Sequence, residues 1–132
     1  MTLAAMVAQR STCPRRQVGA LLVRDRRILA TGYNGSPPGL PHCTEEGCLL
    51  LDGHCQRTIH AEQNALVQCA LHGVSSQGAT LYCTASPCAD CTRLLLGAGV
   101  QRVVYRDAYP DGLADLFWSQ AGLRPEAWRP AQ

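Results

Sequence analysis

Hydrophobic positions along this chain fall into short runs of two periods, and each change of period marks out an element. Val18 to Arg24 reads VGALLVR, a continuous apolar run suited to a buried strand. The charged DRR after it is a turn, and ILATGY is the returning strand, so a hairpin is predicted. Ahead of it, alanines and spaced apolar residues from Thr2 to Arg10 fit one short helix. From Ile59 to His72 the apolar residues Ile59, Leu66, Val67 and Ala70 recur at helical spacing, with Thr58 as the expected N-cap and Gly73 as the stop. ATLYCT, Ala79 to Thr84, reads as a strand, and Pro87 opens a helix that CADCTRLLLGAG carries to about Gly97. QRVVYR is a further strand and GLADLFWSQAG a last amphipathic helix ending at Gly122. Only Asn34 to Gln56 shows no period: NGSPPGLPHC is dense in residues that break regular structure. A loop of about twenty residues is unusual in a compact domain, so something holds it or it serves a site.

Strands alternating with helices in the second half predict a crossover-connected sheet with helices on both faces, a three-layer α/β/α domain. The 132 residues, 46% hydrophobic, suffice for one domain, residues 1–132, with a real core and no need of disulfides. A net charge of +2 without a basic run gives no indication of a nucleic-acid-coating surface. All 12 basic residues are arginine, so arginine abundance is a composition bias and no functional signal. The N-terminal apolar run is too short for a signal peptide, and no stretch nears the ~20 apolar residues of a membrane span. The expectation is a cytoplasmic protein. In a reducing compartment, 8 cysteines argue for metal binding or catalysis more than for disulfides.

Cys88 and Cys91 lie three apart at a helix start, close enough to grip one ion, and the positive end of the helix favours thiolates. His60 opens the earlier helix in the same way. If the two helix starts meet, His60, Cys88 and Cys91 form a sulfur and imidazole set that selects zinc and leaves a fourth position for water. Residues two apart on a helix point to nearly opposite sides, so Glu62 belongs beside the metal, placed to move protons. Alone, a Cys-x-x-Cys is equally a redox pair or half a structural zinc knuckle, and a His-x-Glu is usually surface. Together, as HAE followed by PCADC, they form the zinc deaminase signature.

With these residues the chain resembles the cytidine deaminase superfamily, and within it the deoxycytidylate (dCMP) deaminases, a group that includes late-competence proteins of bacteria. The resemblance covers STCPRRQVGALLV, RRILATGYNGSPPGLPHC, RTIHAEQNAL, TLYCTASPCADC and QRVVY. It implies a cytidine deaminase-like fold with a mixed sheet of about five strands. It also implies hydrolysis of dCMP to dUMP and ammonia, feeding dTMP synthesis, with zinc on His60, Cys88 and Cys91 and with Glu62 as the proton shuttle. Ala61 and Ser86 match positions whose backbone holds the base, and Asn34 the position that contacts the sugar. Arg15 and Arg16 are candidates for the 5′-phosphate, because a guanidinium can grip it bidentately, though a solvated pair is as ordinary a reading. Tyr109 is a candidate packing surface for sugar or base. The resemblance further implies homo-oligomers and raises dCTP and dTTP as possible effectors, through the GYNGSPPG segment.

Some members of the family bind a second, structural zinc near cysteines matching Cys13 and Cys43. On that basis the expected set here is Cys13, Cys43, Cys48 and Cys55, with His42 and His54 as rival ligands. Cys69 and Cys83 read as small buried apolar residues. Two other functions stay open: a deaminase of another free nucleoside, nucleotide or base, and a non-catalytic zinc-stabilised binding module.

Overall fold

The computed structural model describes residues 1–130. Its hairpin joins β1 (Gly19–Arg24) to β2 (Arg27–Tyr33) through Asp25 and Arg26, both at positive φ (53° and 62°). Two left-handed residues give a tight connection whose twist matches that of the strands. β1 also pairs antiparallel with β5 (Thr80–Ala85), which runs parallel to β6 (Arg102–Asp107) and, through it, to β7 (Glu126–Ala127). The result is a mixed five-stranded sheet in the order β2-β1-β5-β6-β7.

Gly19 and Ala20 point to opposite faces of β1, and each face receives a helix. α1 (Thr2–Ala8) lies against Gly19, where a Cβ would stand 2.0 Å from the Ala4 carbonyl oxygen. Gly32 pairs with Ala20, and over it sits α3 (Ala61–His72), whose Ala61 and Ala65 approach the glycine backbone. α4 (Ala89–Gly97) and α5 (Gly112–Gln120) join α3 in one apolar cluster through Leu95, Ala114 and Trp118, packed on Leu22, Leu81, Cys83 and Val103. This is the expected three-layer arrangement. Cys69 and Cys83 are buried members of that core.

The long loop is not wholly irregular. It contains the single turn α2 (Cys43–Glu46) and a miniature antiparallel pair, β3 (Leu50–Leu51) with β4 (His54–Cys55). β7 was not foreseen, because Arg-Pro-Glu-Ala carries no strand pattern; an Arg102–Glu126 ion pair, 2.7 Å and half exposed, fastens it beside β6. Among the described residues no helix is long and apolar enough to cross a membrane.

Candidate metal centre and active-site cleft

α3 begins two residues later than the sequence pattern indicates. Ile59 pairs with Gly35 in an isolated antiparallel bridge, donating to and accepting from its backbone at 3.0 and 3.3 Å, so it stays extended. His60, also extended (φ −73°, ψ 158°), is therefore the N-cap in place of Thr58. The Gln63 side chain accepts from the His60 N–H at 2.8 Å, and Asn64 Nδ2 donates to the Tyr33 carbonyl at 3.0 Å, tying the helix start to the end of β2. Cys88 stands in the same position on α4, as an extended N-cap (φ −72°, ψ 175°), and Cys91 follows in the first turn.

The two helix starts meet. His60 Nδ1 lies 3.2 Å from Cys91 Sγ and 3.5 Å from Cys88 Sγ, and the three ligand atoms all fall within 4.8 Å of one another. Zinc bonds of about 2.0 Å to nitrogen and 2.3 Å to sulfur give a tetrahedral N···S edge of about 3.5 Å, so this spacing fits a zinc ion. The donor chemistry fits as well. The Cys91 thiol donates to Cys88 and the His60 ring stands beside it, which together hold the Cys88 thiol down at about 4 despite its burial. Cys88 is therefore a ready thiolate. The same contact and its own burial push Cys91 up, and the Cys88 sulfur raises His60.

Glu62 lies beside this set, only 5% exposed. Burial lifts its carboxyl above the ordinary carboxylate range, the condition for a group that must both take and return a proton near neutral pH. Glu62 and His60 line one cleft of about 590 Å³ with Ala61, Cys88, Ser86, Asn34, Arg16 and Tyr109. Six of the residues expected to meet the substrate, Glu62, Ala61, Ser86, Asn34, Arg16 and Tyr109, thus share one space with the metal ligands His60 and Cys88.

The remaining expectations divide. Arg16 lies over the Tyr109 ring, 4.9 Å from its centroid, at the cleft. Arg15 is instead an exposed side chain reaching the Gly53 carbonyl at 3.4 Å, and it is not among the cleft residues. Both ends of the Asn34 amide are engaged: Oδ1 accepts from Val18 N–H at 2.8 Å and Nδ2 donates to the Arg16 carbonyl at 2.7 Å. Asn34 therefore holds in place the segment that carries Arg16. Ser86 Oγ accepts from Tyr109 N–H at 2.6 Å and donates to its carbonyl at 3.1 Å, which fixes the backbone of Tyr109.

In the long loop, Cys43, Cys48 and Cys55 bring their sulfurs within 4.8 Å, with Cys43 Sγ 3.6 Å from Cys55 Sγ. Cys13 is buried but outside this group. It follows Thr12, whose Oγ1 meets His42 Nδ1 at 3.0 Å, so that ring nitrogen is already engaged. Burial raises Cys55, but backbone N–H groups of Arg57, Leu49 and Thr58 outweigh it and bring the thiol down to about 6. Burial and the two neighbouring sulfurs push Cys43 up to about 12. A cation among the three would relieve that repulsion.

Residues 1–107 match the family model described as the cytidine and deoxycytidylate deaminase zinc-binding region. The chain belongs to that family. Among its relatives, ComE operon protein 2 of Bacillus subtilis is 47% identical over 96% of this chain and 67% of its own length. The deoxycytidylate deaminase of Saccharomyces cerevisiae is 42% identical over 83% of this chain. The chain spans only 36% of that relative's length. A dCMP deaminase from the cyanophage S-TIM5, solved with dCMP and dUMP, superposes with a TM-score of 0.84 at 40% identity, covering 96% of this chain and 92% of its own.

The sequence did not single out Asp111 or Gln56, which also line the cleft, and it offered His54, a third lining residue, only as a rival ligand for the second metal. Asp111 carried one readable signal, an aspartate just ahead of a helix. The other two reach the site through the fold of the cysteine loop, which has no sequence period.

Proposed function

We propose that this chain hydrolyses dCMP to dUMP and ammonia, with zinc as cofactor. The observation that carries it is the convergence of His60, Cys88 and Cys91 beside the buried Glu62 in a cleft that also holds a cation, Arg16. The dCMP deaminase of S-TIM5, so similar in fold, was solved with this substrate and product. His60, Cys88 and Cys91 hold the zinc, which when bound supplies the Lewis acidity that lets water lose a proton near neutral pH. Glu62 takes that proton and delivers it to N3 of the cytosine as oxygen adds at C4; a second proton leaves with the amine, and uracil remains. The Ala61 and Ser86 backbone orients the base edge, Asn34 holds the Arg16 segment against the sugar side, and Arg16, steadied on Tyr109, meets the 5′-phosphate.

A second zinc on Cys43, Cys48 and Cys55 orders the long loop, with Cys13, one residue from the Thr12–His42 contact, as the fourth ligand. We place the protein in the cytoplasm, where free thiols persist. Exposed Leu3, Met6, Leu113 and Leu116 support assembly into a homo-oligomer.

The test is loss of cytosine absorbance with zinc-loaded protein on dCMP, CMP and deoxycytidine. The expected result is turnover of dCMP, reduced at least ~10²-fold in Glu62→Gln with zinc content unchanged. Equal rates on deoxycytidine would reject the phosphate requirement, and no turnover of any of the three would reject the nucleotide substrate.

A further inference from the structure

The N-cap of α4 is occupied by a cysteine, which makes no capping hydrogen bond. Sulfur is a weak acceptor, and this one faces His60. The first N–H groups of the helix therefore need a partner from elsewhere. Ala89, the first residue of α4, donates its N–H to Asp111 Oδ2 at 2.9 Å, across 22 positions of sequence. The other oxygen of the same carboxylate, Oδ1, accepts from Leu113 and Ala114 at 3.1 and 3.0 Å, capping α5. One side chain thus closes two helix N-termini. The N–H groups of Ala114 and Ala89 also hold its carboxyl below the ordinary aspartate range.

The segment that delivers Asp111 is itself clamped to the start of α4. Ser86 N–H donates to the Asp107 carbonyl at 3.0 Å, and Ser86 Oγ bonds both backbone groups of Tyr109. Ser86 stands two residues before Cys88, so three contacts tie this segment to the strand-to-helix turn that carries the sulfur.

We propose that Asp111 is a positioning residue for the metal centre: its carboxylate binds the Ala89 N–H, the first free donor of α4 and the peptide next to Cys88, and so fixes the turn that aims Cys88 at His60. This rests on the assignment of a metal to His60, Cys88 and Cys91. A metal ligand at an N-cap is aimed by its backbone, and an uncapped helix start frays. A cap donated by another element restores the rigidity.

Asp111→Ser separates the two roles. Its single hydroxyl oxygen can still cap α5, as serine does at any N-cap, but cannot also reach Ala89. In a Cys55→Ser background, which removes the loop site, cobalt binding, read from the sulfur-to-cobalt charge-transfer band, and zinc affinity, read by competition with a chromophoric chelator, report on this centre alone and without turnover. The expected outcome for Asp111→Ser is zinc affinity weakened roughly 10- to 100-fold, an altered band, and a melting temperature near that of the unaltered protein. Asp111→Asn, with one acceptor oxygen for two helices, should weaken zinc similarly, and Asp111→Glu should restore part of the loss. Zinc affinity and cobalt spectrum unchanged in both Asp111→Ser and Asp111→Asn would overturn the proposal. Absence of the thiolate–cobalt band in Cys55→Ser with Asp111 intact would instead overturn the metal assignment beneath it.

Discussion

Arg15 and Arg16 are neighbours of the same chemistry, and the fold gives them different work. Arg16 reaches the cleft and rests on Tyr109, while Arg15 turns to the Gly53 carbonyl. A hydrogen bond to a charged group is worth about 1.5–3 kcal/mol, so Arg16→Met should raise KM for dCMP roughly ten- to a hundredfold. It should leave KM for deoxycytidine, which has no phosphate, nearly unchanged. Arg15→Met should alter neither. Measuring both constants for both variants decides it: equal effects of the two substitutions would mean that neither arginine reads the phosphate. The sequence offered the pair but could not divide it, because adjacent strand-flanking residues differ only in the direction the backbone gives them. Asn34 teaches the same lesson. Its match to a sugar-contacting position was legible, but the engagement of its amide by Val18 and Arg16 depends on contacts 16 to 18 residues away.

At the scale of elements, the helices and strands that the apolar pattern predicts are all present, with boundaries moved by one or two residues. The pattern fails where tertiary pairing overrides local preference. Ile59 has helical spacing yet is held extended by Gly35, and that displacement is what puts His60 at the cap, where its ring can meet two sulfurs. The HAE and PCADC motifs were readable as chemistry. Their convergence was an inference from topology, and the reach of Asp111 from one helix start to another had no local signal at all. How closely α3 sits on the sheet is set by Gly32. A Cβ there would lie 2.2 Å from the Ala61 carbonyl oxygen and 2.5 Å from the Ala65 nitrogen, both backbone atoms that cannot rotate aside. Gly32→Ala should therefore push the start of α3 away, at about 1–3 kcal/mol, and displace His60 and Glu62 with it. Gly73 is the contrast. It caps the same helix at φ +68° with open space around it, so Gly73→Ala should cost about 1 kcal/mol of backbone strain and nothing at the site. Thermal melts and kcat for the two variants separate the effects. If kcat is kept in Gly32→Ala, the close approach does not position the site.

Across the whole molecule, two cysteine-containing sets each contribute to the wall of one cleft, through Cys88 and His60 and through Cys55, and they differ in what holds them. The His60, Cys88 and Cys91 set rides on two helices anchored in the core. The Cys43, Cys48 and Cys55 set lies in a loop whose own apolar residues, Leu49, Leu50 and Leu51, are exposed. That loop buries too little apolar surface to order itself, and its ties to the rest are a few hydrogen bonds, such as Arg15 Nη1 to the Gly53 carbonyl at 3.4 Å. The structural metal proposed above would supply the order that burial does not. The loop also supplies His54, Cys55 and Gln56 to the cleft wall, so its order bears on the substrate as well as on stability. Cys55→Ser should accordingly remove one zinc ion per chain and leave the other in place. It should raise KM for dCMP more than it lowers kcat, and expose the loop between residues 34 and 57 to proteolysis. The main thermal transition, which reports the sheet and its helices, should move little. Metal analysis alongside limited digestion tests this: an unaltered zinc content and digestion pattern in Cys55→Ser would show that the three sulfurs hold no metal.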